Sequence, residues 1–327
     1  MSKRVRIARL SIFLIAGAIL TYFLLSVSGS MEQTLSNIYK ALKKADTVWL
    51  LLSLVLFSFT QLIRAWRWQV LSWNHKIHLG KSLPLTAIHV GLGHLLPMRL
   101  SDVALVGLFK RYAYLPAGNG AATVMLAKIM DVIAMGFVVA CSFAAGLSGS
   151  VVYVAASASV LGVLSLFFLP SILSLFTRPI KAITGEGRIT NGWKEMIKAT
   201  KINRKRRPAV SLAMGLSIAG WTVKLFMFYA FLRAVGVDDL PMWQIFTASA
   251  VTDLTMALPV HGLLSLGTVE AGWVAGFALT GVTGTLPGGL SVVEAGFSVH
   301  MLWLFMAVLL MLGGTAVLLL SGRKGNI

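Results

Sequence analysis

The chain of 327 residues is 57% hydrophobic and only 12% charged, with a mean hydropathy of +0.82. A soluble domain is about 25% charged, so this chain has too little polar surface to cover a globule in water, and soluble enzymes are excluded. A net charge of +18 would suit nucleic acid in a soluble protein. In a bilayer protein it reflects Lys and Arg collected in cytoplasmic loops, and no nucleic-acid partner is expected.

A span takes about 20 mostly apolar residues. Runs of that kind lie at 8–28, 48–64, 119–147, 150–176, 209–235 and 298–320, and each predicts a transmembrane helix. The first follows Lys3, Arg4, Arg6 and Arg9. Its apolar part exceeds the signal-peptide core of about 7–15 residues, so it reads as a retained helix. Next, Leu35, Ile38, Tyr39 and Leu42 recur at helical spacing beside Lys40, Lys43 and Lys44, which predicts a short amphipathic helix on the outer surface. The string Arg64-Ala65-Trp66-Arg67-Trp68 ends the second run with residue types that anchor helices at the interface. Cys141, the single cysteine, lies inside an apolar run, so no disulfide framework is expected.

Charge fixes the sides. The N-terminus, the stretch Arg64 to Lys81, the segment 177–208 and the tail Arg323-Lys324 all read as cytoplasmic, with both termini inside a bacterial inner membrane. Segment 177–208 carries ten basic residues against Glu186 and Glu195 and should touch anionic headgroups. Two long runs already join 64–81 to 177–208, so the piece 82–116, with Pro84, Gly91, Gly93 and Pro97, must leave and return to the same side. From an outer loop at Asp238-Asp239, the piece 241–284 forms a second hairpin turning at Leu258-Pro259-Val260-His261-Gly262. The reading is an all-α polytopic membrane protein with about six full spans and two re-entrant helical hairpins; ten full spans is the alternative. It is one integral membrane domain, 1–327, whose halves 48–147 and 209–320 form an inverted repeat on either side of the basic cytoplasmic loop 177–208.

Five of the 11 acidic residues fall at membrane depth: Asp102, Asp131, Asp253, Glu270 and Glu294. Arg99, Lys128 and Lys224 lie at or near it. A central charge costs about 2.5–3.5 kcal/mol on insertion scales, so such groups pair, meet water or hold a ligand. Lys128 and Asp131 are three apart on one helix, where a neutralising pair within the helix competes with a ligand role. Arg99 and Asp102 follow the Pro97 break, where Arg can grip a phosphate through two parallel donors with Asp102 orienting it. Glu270 and Glu294 sit in matching Val-Glu-Ala-Gly strings, 269–272 and 293–296, and either could cap a helix, pair with Arg99 or take up a proton. His89, His94, His261 and His300 read as hydrogen-bonded groups, and neither a metal nor another cofactor is expected.

The strings Arg64-Ala65-Trp66-Arg67-Trp68, Leu96-Pro97-Met98-Arg99-Leu100-Ser101-Asp102 and Leu258-Pro259 through Glu270-Ala271-Gly272 resemble the flippase-like membrane region of the lysylphosphatidylglycerol synthase (multiple peptide resistance factor) superfamily. The resemblance covers nearly the whole chain. It implies a polytopic protein that translocates a modified phospholipid, or one that acts near polyprenol-linked sugars or hopanoids. No soluble acyltransferase-like domain follows Ile327, so aminoacyl transfer to lipid is not expected. The family's Pro-Gly-Gly-Leu-Gly has two partial counterparts, Pro259-Val260-His261-Gly262 and Pro287-Gly288-Gly289-Leu290, so Glu270 and Glu294 both stand as candidates, with flanking spacing favouring Glu270.

The expected function is therefore a flippase or transporter for an anionic or lipid-linked substrate, not an enzyme, with membrane lipids as partners and a second copy or envelope-biosynthesis proteins as further ones. Its substrate residues would be Arg99, Asp102, Lys128, Asp131, His261, Glu270 and Glu294, with Arg64 and Arg67. The alternatives are a membrane-embedded transferase or accessory subunit of polyprenol-linked sugar, hopanoid or envelope lipid metabolism, using Asp102, Glu270 or His261, and a binding-only scaffold. The Gly-x-x-x-x-Gly-Lys-Ser/Thr phosphate loop does not occur in the sequence, so a proton, the membrane potential or the lipid gradient would supply the drive.

Overall fold

Lipid offers the backbone no hydrogen-bond partner, so a long apolar run closes its N–H and C=O groups on itself as helix. The computed structural model of the chain describes residues 18–26, 30–72, 77–96, 100–144, 168–256 and 263–323, with 15, 75, 157, 160, 161 and 164 besides. In chain order the helices are α1 (Met31–Lys43), α2 (Thr47–Leu71), α3 (Leu79–Leu95), α4 (Leu100–Tyr112), α5 (Ala117–Ala144), α6 (Thr177–Thr184), α7 (Arg188–Lys205), α8 (Arg207–Ala234), α9 (Met242–Thr255), α10 (Thr268–Leu279) and α11 (Val292–Arg323). No strand forms among the described residues. Among the described residues four helices, α2, α5, α8 and α11, are long and apolar enough to cross a membrane.

These helices invert the usual partition of residues. On α2, Val48, Leu51, Val55 and Phe59 make an exposed apolar stripe, while Thr60, Gln61 and Arg67 are buried. On α11, Phe305, Leu309, Leu312 and Leu319 are exposed, while Ser298 and His300 are buried. A stripe of that kind is lipid-facing, and the chain is a multi-pass membrane protein.

The expected spans at 48–64, 119–147, 209–235 and 298–320 correspond to the four long helices. Those at 8–28 and 150–176 fall largely outside the described residues, although 18–26 and 168–175 are helical. Two expectations are corrected. The basic stretch 177–208 is not a loop but the helices α6 and α7, which lead directly into α8. The second span continues to Leu71, so Arg67 is not an interfacial anchor; it is buried within α2.

The chain divides into two compact units. The first comprises 1–58, 90–101 and 223–311, and the second 59–89, 102–222 and 312–327. In the first unit α1 forms where the amphipathic pattern places it, with the Ser30 side chain accepting from the Gln33 N–H at its start. Ile38 and Leu42 of α1 pack with Val293 and Phe297 of α11, while Leu35 and Tyr39 stay exposed. Asp46 then caps α2 by accepting from the Val48 and Trp49 N–H groups at 2.8 and 3.2 Å.

Helices α9 and α10 form a close-packed hairpin. A Cβ at Gly272 would lie 2.6 Å from the Thr252 Cα, and one at Gly276 would lie 2.5 Å from the Ala248 Cα. Glycines four apart on α10 thus meet small residues four apart on α9, the pattern that lets helix backbones touch in membranes. In the second unit Gly314 of α11 lies against the Pro84 carbonyl of α3, at 2.7 Å from an added Cβ. Pro84 has no N–H to donate within α3, and Thr86 turns its hydroxyl back onto the Ser82 carbonyl at 2.7 Å. In that unit the start of α5 packs on α7 at Gly118, against Glu195 and the Gly192 carbonyl.

Candidate functional site

The second unit holds an ionic cluster built from α2, α3, α4, α5 and α8. Arg67 of α2 grips Asp131 of α5 through both ends of its guanidinium, Nη1 to Oδ1 at 2.5 Å and Nη2 to Oδ2 at 3.1 Å. Arg67 Nη1 also donates to the Ser217 hydroxyl at 2.7 Å, and the Trp221 indole N–H donates to Asp131 Oδ1 at 3.2 Å. Two parallel N–H···O bonds are the strongest form of such a pair. The added donor and acceptor satisfy lone pairs and protons that burial would otherwise strand, the condition for a buried pair to persist.

Beside it, Asp102 in the first turn of α4 takes His89 Nε2 of α3 at 2.9 Å and Lys128 Nζ of α5 at 3.1 Å. A carboxylate in a first turn is also favoured by the positive end of the helix dipole. Arg64 lies within electrostatic reach of both Asp131 and His89. Trp68, edge-on to His89 and Phe109, walls one side of the group. The cations differ in access: the Arg67 side chain is 3% exposed and the Lys128 side chain 38%. Arg67 is a strut, and Lys128 is the charge that a ligand can reach.

The structure thus brings Arg64, Arg67, Asp102, Lys128 and Asp131 into one cluster, though not in the expected pairing. Lys128 reaches across to Asp102 and Asp131 to Arg67, while Lys128 still acts on Asp131 electrostatically along α5. Successive residues at i and i+3 can meet, but each has a partner on a neighbouring helix that also relieves a buried charge. Arg99 and His261, with the pairings expected of Arg99, lie outside the described residues.

The remaining candidates belong to the first unit, where the matching strings adopt one helical position and two chemistries. Glu270 and Glu294 are both third residues of their helices, α10 and α11. Before α11 stands Ser291. Its hydroxyl accepts from the Glu294 N–H at 3.2 Å, and Glu294 Oε2 accepts from the Ser291 N–H at 2.8 Å. That is a capping box, completed by Asn37 Nδ2 donating to Glu294 Oε1 at 2.7 Å. Before α10 stands Gly267, which has no side chain to cap with. Glu270 turns instead to His300, with Oε1 2.6 Å from Nδ1 and both side chains fully buried. Glu270 Oε2 and His300 Nε2 have no hydrogen-bond partner among the described residues.

Around that dyad lie groups that sequence reasoning left out of the site. The His94 ring is 5.9 Å from His300 and edge-on to Trp303 at 4.3 Å. Lys224 of α8 sits 5.1 Å above Trp303 and forms a buried ion pair with Asp253 of α9. Opposite charges in neighbouring apolar runs were the available signal, because neither could be buried alone. A cleft of about 640 Å³ elsewhere in this unit is lined by Lys40, Lys44, Asp46, Trp49, Arg233 and Asp238 among others. Its charges are largely committed: Asp46 caps α2, Arg233 pairs with Asp238 at 3.2 Å, and the basic residues end α1 and α8, where they offset the dipoles.

A family model described as Lysylphosphatidylglycerol synthase TM region matches residues 7–305. Neither the curated proteins nor the solved structures give a match.

Proposed function

The chain belongs to the lysylphosphatidylglycerol synthase transmembrane-region family, and from that premise we propose that it binds an anionic or lipid-linked molecule and carries it across the bilayer. The observation that carries this reading is the second unit's cluster, above all the half-exposed Lys128 held on Asp102 beside Arg64. An arriving phosphate can take Asp102's place on Lys128, while Asp102 keeps His89. Arg67 and Asp131 hold the helices that present the exchange. The substrate class is phospholipid, polyprenyl-phosphate or glycolipid, and the protein works by binding and movement and not as an enzyme.

The same reading places the chain in the bacterial inner membrane with cytoplasmic termini, six full spans and two re-entrant hairpins in inverted halves. Helix length supports it. At about 1.5 Å per residue, the 12 residues of α10 reach about 18 Å and the 14 of α9 about 21 Å. The hydrocarbon core is about 30 Å thick. Membrane lipids are the partners, with a second copy or envelope-biosynthesis proteins as the macromolecular ones.

The test is lipid movement in proteoliposomes holding candidate anionic lipids, guided by mass spectrometry of lipid that co-purifies. Lys128→Ala and Arg64→Ala should slow movement at least tenfold while the protein stays folded. Native rates in both would sink the reading. The two His–carboxylate pairs favour one rival, a membrane-embedded transferase, because an imidazole oriented by a carboxylate is the base half of a nucleophilic site. A covalently altered lipid product, made only with an added donor, would select it.

A further inference from the structure

Within the first unit, Glu270 and His300 form a closed dyad that the lipid-binding cluster does not use. Both are fully buried, and each keeps one polar atom, Oε2 and Nε2, without a partner among the described residues. Buried polar atoms are paired in the great majority of cases. Two orphans on one hydrogen-bonded pair mark a group built for something besides packing.

The proton count defines what the pair can do. With two protons it is neutral overall, as carboxylic acid with imidazole or as carboxylate with imidazolium. Loss of one proton leaves a carboxylate beside neutral imidazole, a net charge of −1 in a site without water access. Enclosure disfavours that uncompensated charge, and access to water would relieve it. Among the described residues, the charged or titratable groups that the surrounding elements present are His94 of α3, Lys224 of α8, Asp253 of α9 and Glu294 of α11. Lys224 and Asp253 cancel in their own ion pair, and Glu294 is held in its cap.

The support of Glu270 is itself under strain. Leu264 and Ser265, in the turn that leads to α10, both hold φ at +59°, a conformation that residues with side chains rarely adopt. Such strain persists only where the surroundings enforce it, and it gathers at elements that switch. The α10 helix starts three residues beyond this turn and carries Glu270 in its first turn.

We propose that Glu270 and His300 are a proton-exchange site, enclosed in this structure, that releases one proton when α10 moves and so couples proton flow to lipid movement. The coupling rests on the transport reading above; the proton site does not. Two measurements separate them. Infrared difference spectra of the detergent-solubilised protein between acidic and alkaline buffer should show a band of a protonated carboxyl or of an imidazolium that Glu270→Gln removes and Glu294→Gln retains. In proteoliposomes with the membrane voltage clamped, a pH gradient should speed lipid movement several-fold, and Glu270→Gln should lose that acceleration. His300→Asn, which keeps an amide for Glu270 but has no Nε2, should behave alike and covers the case where Glu270→Gln misfolds. A spectrum unchanged by Glu270→Gln, or acceleration that survives in both variants, would overturn the proposal. If native protein moves no lipid under any gradient, the transport reading and the coupling fall together, and the Glu270-dependent infrared band alone decides the proton site.

Discussion

Arg67 and Asp131 show how a charge is made tolerable at membrane depth. The pair is bidentate, Ser217 and Trp221 supply a further acceptor and donor, and the guanidinium lies 5.3 Å from the Trp68 ring. Removing one partner of such a pair commonly costs about 3–5 kcal/mol, because the other charge stays buried. Arg67→Ala and Asp131→Ala should therefore each lower the melting temperature sharply in nanodiscs, while the double variant should lose less than the sum. Additive losses would show that the two groups act independently. Arg67→Lys keeps the charge but not the planar fork, and should fall between native and Arg67→Ala. Glu294 provides the contrast with Glu270. Its carboxylate caps a helix, so Glu294→Ala should cost about 1 kcal/mol and leave lipid movement at the native rate in the proteoliposome assay. Movement lost in a fully folded Glu294→Ala would return Glu294 to the list of functional carboxylates.

At the scale of elements, the α9–α10 hairpin depends on bare backbone. An added Cβ at Gly276 meets Ala248 backbone atoms at 2.5, 2.8 and 3.1 Å, and backbone cannot swing aside as a side chain end can. Gly276→Val should destabilise by about 3 kcal/mol, the upper part of the usual overpacking range, whereas Gly215→Val on α8 meets open space and should cost far less. Equal melting temperatures for the two would refute the close approach. Much of this level was legible beforehand. The long apolar runs gave α2, α5, α8 and α11, and the periodicity of Leu35, Ile38 and Leu42 gave α1. Breaks after Leu95 and Thr255 were signalled by Pro97 and Pro259. The helical state of 177–205 was not, since ten basic residues read as a cytoplasmic loop on charge alone, and charge reports the side of the membrane, not the backbone. The candidate residues of the ionic cluster were legible because apolar runs make every charge conspicuous. Pairing was not: Lys128 with Asp102 and Lys224 with Asp253 join different helices, and no local spacing encodes a contact between helices. The difference between Glu270 and Glu294 was written in one residue each, Gly267 against Ser291 at the cap.

At the scale of the whole molecule the question is how often the chain crosses the bilayer. Six spans with two hairpins and ten full spans share the same parity, so loops between long helices label alike under both. With Cys141 replaced by Ser, single cysteines at Tyr114 and Ile183, both well exposed, should react from the cytoplasmic side, and those at Lys43 and Thr283 from outside. The hairpin tips separate the alternatives. If α3 and α4 cross fully, Leu100→Cys lies at an outer loop and reacts with a membrane-impermeant reagent added outside. If α9 and α10 cross fully, His261→Cys reacts from inside. Helix length argues against both crossings. The 13 residues of α4 and the 12 of α10 fall well below the roughly 20 that a span needs. Tilt shortens their reach further, and each exposed end would leave unpaired backbone groups in hydrocarbon, at a cost of several kcal/mol apiece. A re-entrant tip avoids that cost by facing protein or a water-filled cavity. Leu100→Cys should therefore stay unlabelled from outside and His261→Cys unlabelled from inside in sealed vesicles, and both should react once detergent opens the membrane. Rapid labelling of either tip from the far side in intact vesicles would establish a full crossing at that hairpin and overturn the proposed inverted relation between the two halves.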